Sequence, residues 1–250
     1  MPALINAQNL HKSFGAIRAV NGVSLTVNAG EVVGFLGPNG AGKTTTMRML
    51  TGFLDPSDGS ITISGVSLHD DPIAARRCFG YLPEGAPAYP DMTVRDYLTF
   101  IARARAIAPR EIAARLESVV ARIHLGGVID QVIETLSKGF KRRVGIAQAL
   151  IHDPPILIMD EPTDGLDPNQ KHEVRELIRA MGSTKAIVLS THILEEVEAV
   201  CTRAVVIAAG RVVFDGTPEE FERRAPAHVT RNRMDSAFRA MTAPTSEVVT

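Results

Sequence analysis

The sequence is short of the features that mark several common protein classes. It has no tryptophan, and aromatic residues make up 5% of its 250 residues, so few side chains are available to stack on nucleic-acid bases. Its formal net charge is -1, which gives no electrostatic reason to bind nucleic acid or an anionic membrane surface. Its two cysteines, Cys78 and Cys201, lack CxxC spacing, and we interpret them as reduced core thiols of a cytosolic protein.

Long apolar runs are also missing. Strongly apolar runs such as residues 204–209 are far too short to cross a bilayer, and the first ten residues lack the basic and apolar segments of a secretion signal. The hydrophobic content of 45% and charged content of 22% are ordinary for a soluble globular chain. A chain of this length can form one large domain or two small ones.

The order of apolar runs and turns predicts an α/β fold. Before residue 28, short apolar segments predict strands broken by turns at Phe14-Gly15 and Asn21-Gly22. Later strands alternate with helices, which favours a mostly parallel sheet covered on both faces. Residues 91–153 carry helical spacing and are predicted to be a helical insertion. We expect one domain over residues 1–224, followed by a tail, 225–250, with a short helix and a loose end.

The strongest chemical signal is a glycine-rich loop between an apolar run, residues 32–36, and a helical segment. In this context such a loop cradles phosphates, because glycines let backbone N–H groups close on phosphate oxygens and the helix start attracts anions. The Lys43 amine can reach the β- and γ-phosphates, and the Thr44 hydroxyl can ligate Mg²⁺. The predicted nucleotide-binding residues here are Gly37, Pro38, Asn39, Gly40, Ala41, Gly42, Lys43, Thr44 and Thr45.

An apolar strand that ends in two carboxylates supplies a second signal. Residues 156–159 are apolar and are followed by Asp160 and Glu161. Beside a phosphate loop, Asp160 fits the role of an Mg²⁺ ligand, and Glu161 can orient or polarise a water for attack on the γ-phosphate. An acid pair of this kind taken alone is weak evidence, since it can also be a helix cap or a solvated pair. The phosphate loop on the same sheet favours the catalytic interpretation.

A capped helix further along the chain offers a possible second anion site. Ser137 precedes a helix whose first turns are rich in lysine and arginine, and Gly139 follows it closely. A serine cap followed by glycine leaves backbone donors free for an anion. Taken alone, an ordinary capped helix is the commoner interpretation of this segment.

Taken together, these stretches resemble the nucleotide-binding subunit of an ABC transporter. The phosphate loop is similar to the Walker A motif of that family, and residues 156–161 resemble Walker B with its catalytic glutamate. Residues 136–140 lie where the signature Leu-Ser-Gly-Gly-Gln is usual, residues 163–167 resemble the D-loop, and residues 81–84 occupy the Q-loop position. The motifs keep the family order and cover about residues 4–216. The resemblance implies a P-loop core with an antiparallel β subdomain and an inserted helical subdomain.

The resemblance also implies cofactors and roles for single residues. Phe14 lies where an aromatic usually stacks on adenine, and His192 resembles the switch histidine that holds the γ-phosphate. Ser137 and Gly139 would bind nucleotide through the signature. The implied cofactors are ATP and Mg²⁺. The implied catalytic residues are Glu161, His192 and Lys43, and the implied metal ligands are Thr44, Glu84 and Asp160.

Four positions depart from the usual motifs, among them Asp164, which replaces a serine common in the D-loop. The partners follow from the family. Lys138 and Phe140 replace common signature residues, and Glu84 replaces the usual Q-loop glutamine, which adds negative charge near the γ-phosphate. Family members form head-to-tail dimers that clamp ATP between Walker A of one chain and the signature of the other. A separate membrane permease would carry the substrate, so this chain would lie on the inner face of the membrane. Tyr-Leu-Pro-Glu with Leu-Ser-Lys-Gly is similar to an exporter-like bacterial branch that serves drug, lipid or polysaccharide export, gliding machinery and copper-enzyme maturation.

Other functions stay open at this point. Translation factors of this superfamily usually carry two such domains, and chromosome-maintenance ATPases carry a long coiled coil, whereas this chain has one domain and a short insertion without sustained heptads. A P-loop kinase or GTPase would lack the signature-like segment that this chain has at residues 136–139 and the histidine that it has at His192. A non-transport member that acts as a soluble ATP-gated switch is the main alternative to a transporter subunit.

Overall fold

The computed structural model describes residues 3–243 and contains two sheets and nine α-helices in that range. The strands are β1 (Ile5–Phe14), β2 (Ile17–Val27), β3 (Val32–Leu36), β4 (Asp58–Ile63), β5 (Val66–Ser67), β6 (Phe79–Leu82), β7 (Ile156–Asp160), β8 (Ala186–Thr191), β9 (Arg203–Ala208) and β10 (Arg211–Gly216). The helices are α1 (Lys43–Leu50), α2 (Pro72–Arg77), α3 (Val94–Ala104), α4 (Pro109–Arg122), α5 (Lys138–Leu150), α6 (Pro168–Gly182), α7 (Leu194–Val200), α8 (Pro218–Arg223) and α9 (Arg233–Thr242).

The six-stranded sheet is the framework of the molecule. Its strand order is β10-β9-β3-β8-β7-β6, and all neighbours pair in parallel except the edge pair β9 and β10. Every residue of β3, β7 and β8 is buried, as expected when helices cover both faces of a parallel sheet of Val, Ile and Leu. The predicted α/β fold with a mostly parallel sheet is confirmed. Because parallel strands end at one edge, the loops after β3, β7 and β8 start side by side.

The four-stranded sheet, in the order β2-β1-β4-β5, is antiparallel. The predicted turn at Phe14-Gly15 is confirmed, since β1 and β2 form a hairpin there and Gly15 has a φ of 58°. The predicted break at Asn21-Gly22 is wrong, because β2 runs through it to Val27. Gly22 instead takes a φ of 79° at an irregularity of the ladder, where Leu10 pairs with Val23 and His11 with Asn21. Long-range pairing with β1 has turned a local turn signal into a bulge.

The helical insertion comprises α3, α4 and α5, which share one apolar core with the outer face of the large sheet. Side chains of Thr93 and Ser137 cap the N-termini of α3 and α5. Helix α5 crosses β6 so closely that a β-carbon at Gly80 would overlap the carbonyl oxygen of Ala149. This contact holds the C-terminal end of α5 against the sheet, at the opposite end of the helix from the signature-like residues.

The C-terminal helices cover the β9–β10 edge. Phe221 of α8 and Met234 of α9 are buried in a core that they share with Leu36 and Phe214. The expected domain end at 224 stays a prediction, and the expected loose end falls on residues 244–250, outside the described residues. Both cysteines are free and partly buried against the core. Within residues 3–243, no helix is both long and apolar enough to cross a membrane.

Candidate functional site

The glycine-rich loop runs from the end of β3 to the start of α1, and its backbone needs its glycines. Gly42 is the N-cap of α1 with a φ of 105°, and Gly40 has a φ of 78°. Residues other than glycine rarely adopt these values. A β-carbon at Gly37 would overlap the carbonyl oxygen of Ile207. Since no side chain among residues 3–243 caps α1, its first N–H groups are available to an anion.

Lys43, the first residue of α1, folds back over this loop. Its side chain is buried, and its Nζ donates hydrogen bonds to the carbonyl oxygens of Gly37 at 2.6 Å and Pro38 at 3.2 Å. Burial lowers the pKa of the Lys43 amine, and three nearby carboxylates oppose that change. These carboxylates belong to Glu161, Asp160 and Glu84. The predicted catalytic lysine and the three predicted acidic site residues therefore lie close enough for their charges to interact.

Asp160, the last residue of β7, has one oxygen that is occupied and one that is not. Its Oδ1 accepts a hydrogen bond from the Oγ of Ser190 on the neighbouring strand β8. Its Oδ2 is buried and has no hydrogen-bond partner within the described residues. Buried carboxylate oxygens are costly without a partner, and a divalent cation such as Mg²⁺ binds oxygen ligands. The site therefore fits a metal ion at this oxygen.

Glu161 leaves the sheet in an unusual backbone conformation. Its φ is 50°, and its N–H donates to the carbonyl oxygen of Ser190 at 3.1 Å and to its Oγ at 3.2 Å. The two carboxylate oxygens lie 3.0 and 2.9 Å from Nδ1 of His192. The Glu161 side chain is 15% exposed and that of His192 52% exposed. The acid and the histidine predicted to act together are thus in contact at the open end of the sheet.

The remaining predicted residues lie on other elements. Glu84 is exposed just after β6. Ser137 is exposed and caps α5 by accepting a hydrogen bond from the N–H of Phe140 at 3.4 Å, whereas Gly139 is buried against the side chain of Gln170. Phe14 ends β1 with its ring half-exposed. In the described part of the chain, no hydrogen bond joins Ser137 or Gly139 to the phosphate loop. The roles assigned to the site residues stay predictions.

Sequence reasoning missed Ser190. Its hydroxyl and carbonyl groups orient both Asp160 and Glu161, as described above. A polar pair, Ser190-Thr191, at the end of an otherwise apolar strand was the available signal. The role of this polar pair depends on β8 lying directly beside β7, and only the fold shows that pairing.

Comparison with known proteins shows the family of this chain. The family described as ABC transporter matches residues 20–164, more than half of the chain. The Nod factor export ATP-binding protein I of Rhizobium meliloti is 41% identical over 215 residues, which are 86% of this chain and 64% of that protein. This chain thus spans slightly less than two thirds of that relative's length.

Two further comparisons agree with the first. The ABC transporter ATP-binding protein NatA of Bacillus subtilis is 40% identical over 205 residues, 81% of this chain and 83% of that protein. A solved ATP-binding subunit of an ABC transporter superposes with a TM-score of 0.81 and 34% identity, covering 88% of this chain and 92% of that one. The chain therefore belongs to the ABC transporter family, among its ATP-binding subunits, and carries that family's ATPase domain.

Proposed function

We propose that this protein binds and hydrolyses ATP with Mg²⁺ as a head-to-tail dimer, and that the reaction powers export through a separate membrane permease. The observation that carries the ATPase reaction is the contact of Glu161 with His192, 2.9 Å apart, in the electrostatic neighbourhood of Lys43. Phosphoryl transfer needs little covalent chemistry from the protein, so positioning of the water and stabilisation of charge are the main tasks.

Asp160 and Thr44 are the first two proposed ligands of Mg²⁺. The buried Oδ2 of Asp160 lacks a partner among the described residues, and Thr44 follows Lys43 in the first turn of α1. Glu84, whose charge acts on Lys43, is a third candidate. When bound, Mg²⁺ would neutralise phosphate charge during transfer to water. No cluster of three or more His, Cys, Asp or Glu side chains among residues 3–243 could hold a metal by itself, which agrees with a site completed by phosphate oxygens.

The side chains of this site would divide the reaction among them. Lys43, now bonded to two loop carbonyls, would exchange them for the stronger interaction with phosphate oxygens. Glu161 would orient and polarise the attacking water. His192 would hold Glu161 in place and contact the γ-phosphate. Ser190 would hold the carboxylate of Asp160 and the backbone N–H of Glu161.

A second copy of the chain would complete each nucleotide site. Ser137 and Lys138 are exposed, and within the described residues no hydrogen bond joins Ser137 to the phosphate loop. The N-terminus of α5 offers N–H groups and the positive end of a helix dipole. In a head-to-tail dimer these donors would reach the γ-phosphate held by Lys43 of the other chain. ATP would then join the dimer, and hydrolysis would release it.

A groove beside the Q-loop is the proposed contact for the permease. It has a volume of about 750 Å³ and lies where α1, α2, β6 and α3 meet. Its lining includes Phe53, Ile73, Tyr81 and Ile101, of which Phe53 is 74% and Ile73 66% exposed. Exposed apolar patches of this kind typically mark contacts with other proteins. Through this contact the protein would lie at the cytoplasmic face of the membrane.

Export is the proposed direction of transport because a relative is named for export.

The Glu161→Gln variant allows the proposal to be tested as a trap. We expect it to bind ATP, lose turnover and stay in the ATP-held dimer, since the amide cannot act as a base. A tagged form would be captured with ATP from detergent extracts of host membranes, and its companions identified by mass spectrometry. A Lys43→Ala form treated alike is the control that should bind no ATP.

The companions decide between the functions. A multi-span membrane protein captured in near-equal amount with Glu161→Gln would support the transporter. Ribosomal or DNA-associated companions without a membrane protein would overturn transport and favour a soluble ATP-gated switch. Turnover at the wild-type rate would remove Glu161 from the catalytic residues.

A further inference from the structure

The groove proposed above as the permease contact carries an excess of positive charge. Its lining includes Arg76 and Arg77, the last two residues of α2, and Arg105, which directly follows α3. These three residues are called the groove arginines below. Within the described part of the chain, the lining of this groove contains no Asp or Glu, and no ion pair involves a groove arginine.

The groove arginines form one cluster at the end of α2. Nη1 of Arg105 donates to the backbone carbonyl oxygen of Arg76 at 2.7 Å and to that of Phe79 at 3.3 Å. Nη2 of Arg76 donates to the carbonyl oxygen of Gly52 at 2.6 Å. Arg77 is exposed, and its side chain forms no hydrogen bond within residues 3–243. Every hydrogen bond of this cluster therefore goes to a neutral carbonyl group, and no carboxylate balances its charge.

The missing acid matters most at Arg105. This residue is half-buried, and burial lowers the pKa of its guanidinium. Removing a charge from water is costly unless the charge is paired. Two other half-buried arginines have such a partner, since Arg203 pairs with Asp215 at 2.6 Å and Arg143 pairs with Glu173. A carboxylate supplied by another molecule would give Arg105 the partner that its own chain does not provide.

The rest of the groove is apolar and has the size of a binding cleft. The rings of Phe53 and Tyr81 lie 5.6 Å apart between centroids, and Ile73 of α2 and Ile101 of α3 line the same space of about 750 Å³. Proteins bind amphipathic helices in such grooves through side chains one turn apart. A free phosphate has no apolar part to cover these walls. The groove therefore fits one apolar face of a helix that also carries an acid.

We propose that the permease segment bound in this groove is a short helix that packs an apolar face on Phe53 and Ile73 and pairs an aspartate or glutamate with Arg105 and Arg77. The inference rests on the proposed permease contact and adds the chemistry of the partner. An arginine fork matches a carboxylate through two parallel hydrogen bonds. Arg105 would contribute most of the pairing, because charge pairs removed from water are stronger than exposed ones.

A photo-cross-linker in the groove would identify the bound segment. The full-length protein would carry p-benzoylphenylalanine at position 73, where the native side chain is 66% exposed and lines the groove. After irradiation in membranes of the host, the cross-linked peptide would be sequenced by mass spectrometry. We expect a cytoplasmic segment of a multi-span membrane protein, with an Asp or Glu within about four residues, one helical turn, of the cross-linked position.

Charge reversal in the same assay tests the pairing. Arg77→Glu should lower the cross-linking yield at least about tenfold, because like charges that face each other across an interface repel. Arg105→Gln should lower it about fivefold, as for the loss of one partner of a charge pair. Arg103→Glu, at an exposed position of α3 outside the groove lining, is the matched control and should stay within about twofold of the unsubstituted chain. Exchange of the partner's acid for arginine should restore the yield with Arg77→Glu.

The outcomes separate this inference from the proposed function. A membrane segment without a nearby acid, an unchanged yield with Arg77→Glu, or an equal loss with Arg103→Glu would overturn the inference and leave the permease contact in place. If Arg105→Gln does not fold, Arg77→Glu decides the result, because that side chain is exposed and forms no hydrogen bond within the described residues. If no membrane protein is cross-linked, the proposed permease contact is wrong, and the inference fails with it.

Discussion

At the scale of single residues, we expect Lys43 to be a sensitive position for nucleotide binding. Lys43→Ala removes the cation that the phosphates would meet and leaves the loop carbonyls of Gly37 and Pro38 without their donor. We expect ATP affinity to fall at least about a hundredfold, since hydrogen bonds to charged groups are the strong ones. Titration with a fluorescent ATP analogue measures it. Arg48→Ala, at an exposed position of the same helix, is the control; equal affinity in both variants would remove Lys43 from the site.

His152 makes folding stability depend on pH. Its Nε2 lies 3.1 Å from the carbonyl oxygen of Phe79, and burial, with Arg105 nearby, lowers its pKa from 6.5 to about 4. Between these values the unfolded chain binds a proton that the folded chain does not, so stability falls as pH falls from about 6.5 towards 4. The slope contributed by one such group is at most about 1.4 kcal/mol per pH unit.

His152→Gln should remove this contribution, because the amide does not titrate and can still donate to Phe79. Urea unfolding at pH 7.5, 6.0 and 5.0 should give a flatter pH dependence of the free energy of unfolding than in wild type. His172→Gln, which removes an exposed histidine of α6, is the matched comparison. If the free energy of unfolding depends on pH in the same way in His152→Gln and in wild type, the His152 imidazole has the same pKa in the folded and the unfolded chain.

At the scale of elements, the crossing of α5 over β6 depends on the absence of a side chain. Gly80→Ala would place a methyl group on the backbone of Ala149, and we expect a loss of about 2–3 kcal/mol from the free energy of unfolding, as in other overpacked cores. Gly126→Ala is the control, because nothing lies within 4 Å of a β-carbon there, and should stay within about 0.5 kcal/mol of wild type. Denaturant titration separates them; equal stability would mean that α5 can move away from β6 at little cost.

Elements with strong local signals were predicted from the sequence almost to the residue. Strand β7 lies at its predicted position because an unbroken apolar run acts locally. The turn at Asn21-Gly22 was wrong because pairing with β1 overrides local turn chemistry. Ser190 could not be assigned for a related reason: its partners Asp160 and Glu161 lie about 30 residues away in sequence, and whether they are neighbours depends on the strand order.

At the scale of the whole molecule, the proposed head-to-tail dimer makes a prediction about pairs of chains. In a background without Cys78 and Cys201, one chain would carry Asn39→Cys in the phosphate loop and another Lys138→Cys in the signature, both at exposed positions. With ATP and Glu161→Gln in both, a short bis-maleimide should cross-link the mixture to a dimer. Neither variant alone should cross-link, because two phosphate loops do not face each other. Cross-linking of one variant alone, or none in the mixture, would contradict this arrangement.

At position 161, selection for folding stability and selection for ATP turnover would favour different residues. A side chain at a φ of 50° costs about 1–2 kcal/mol, and glycine or asparagine would adopt this conformation more cheaply. A library screened for heat resistance alone would therefore accumulate these residues at position 161, as stabilising changes at strained sites often do. The selected variants would be more stable proteins that are expected to bind ATP without hydrolysing it. Selection for stability alone would thus replace an ATPase with a protein that stays bound to ATP.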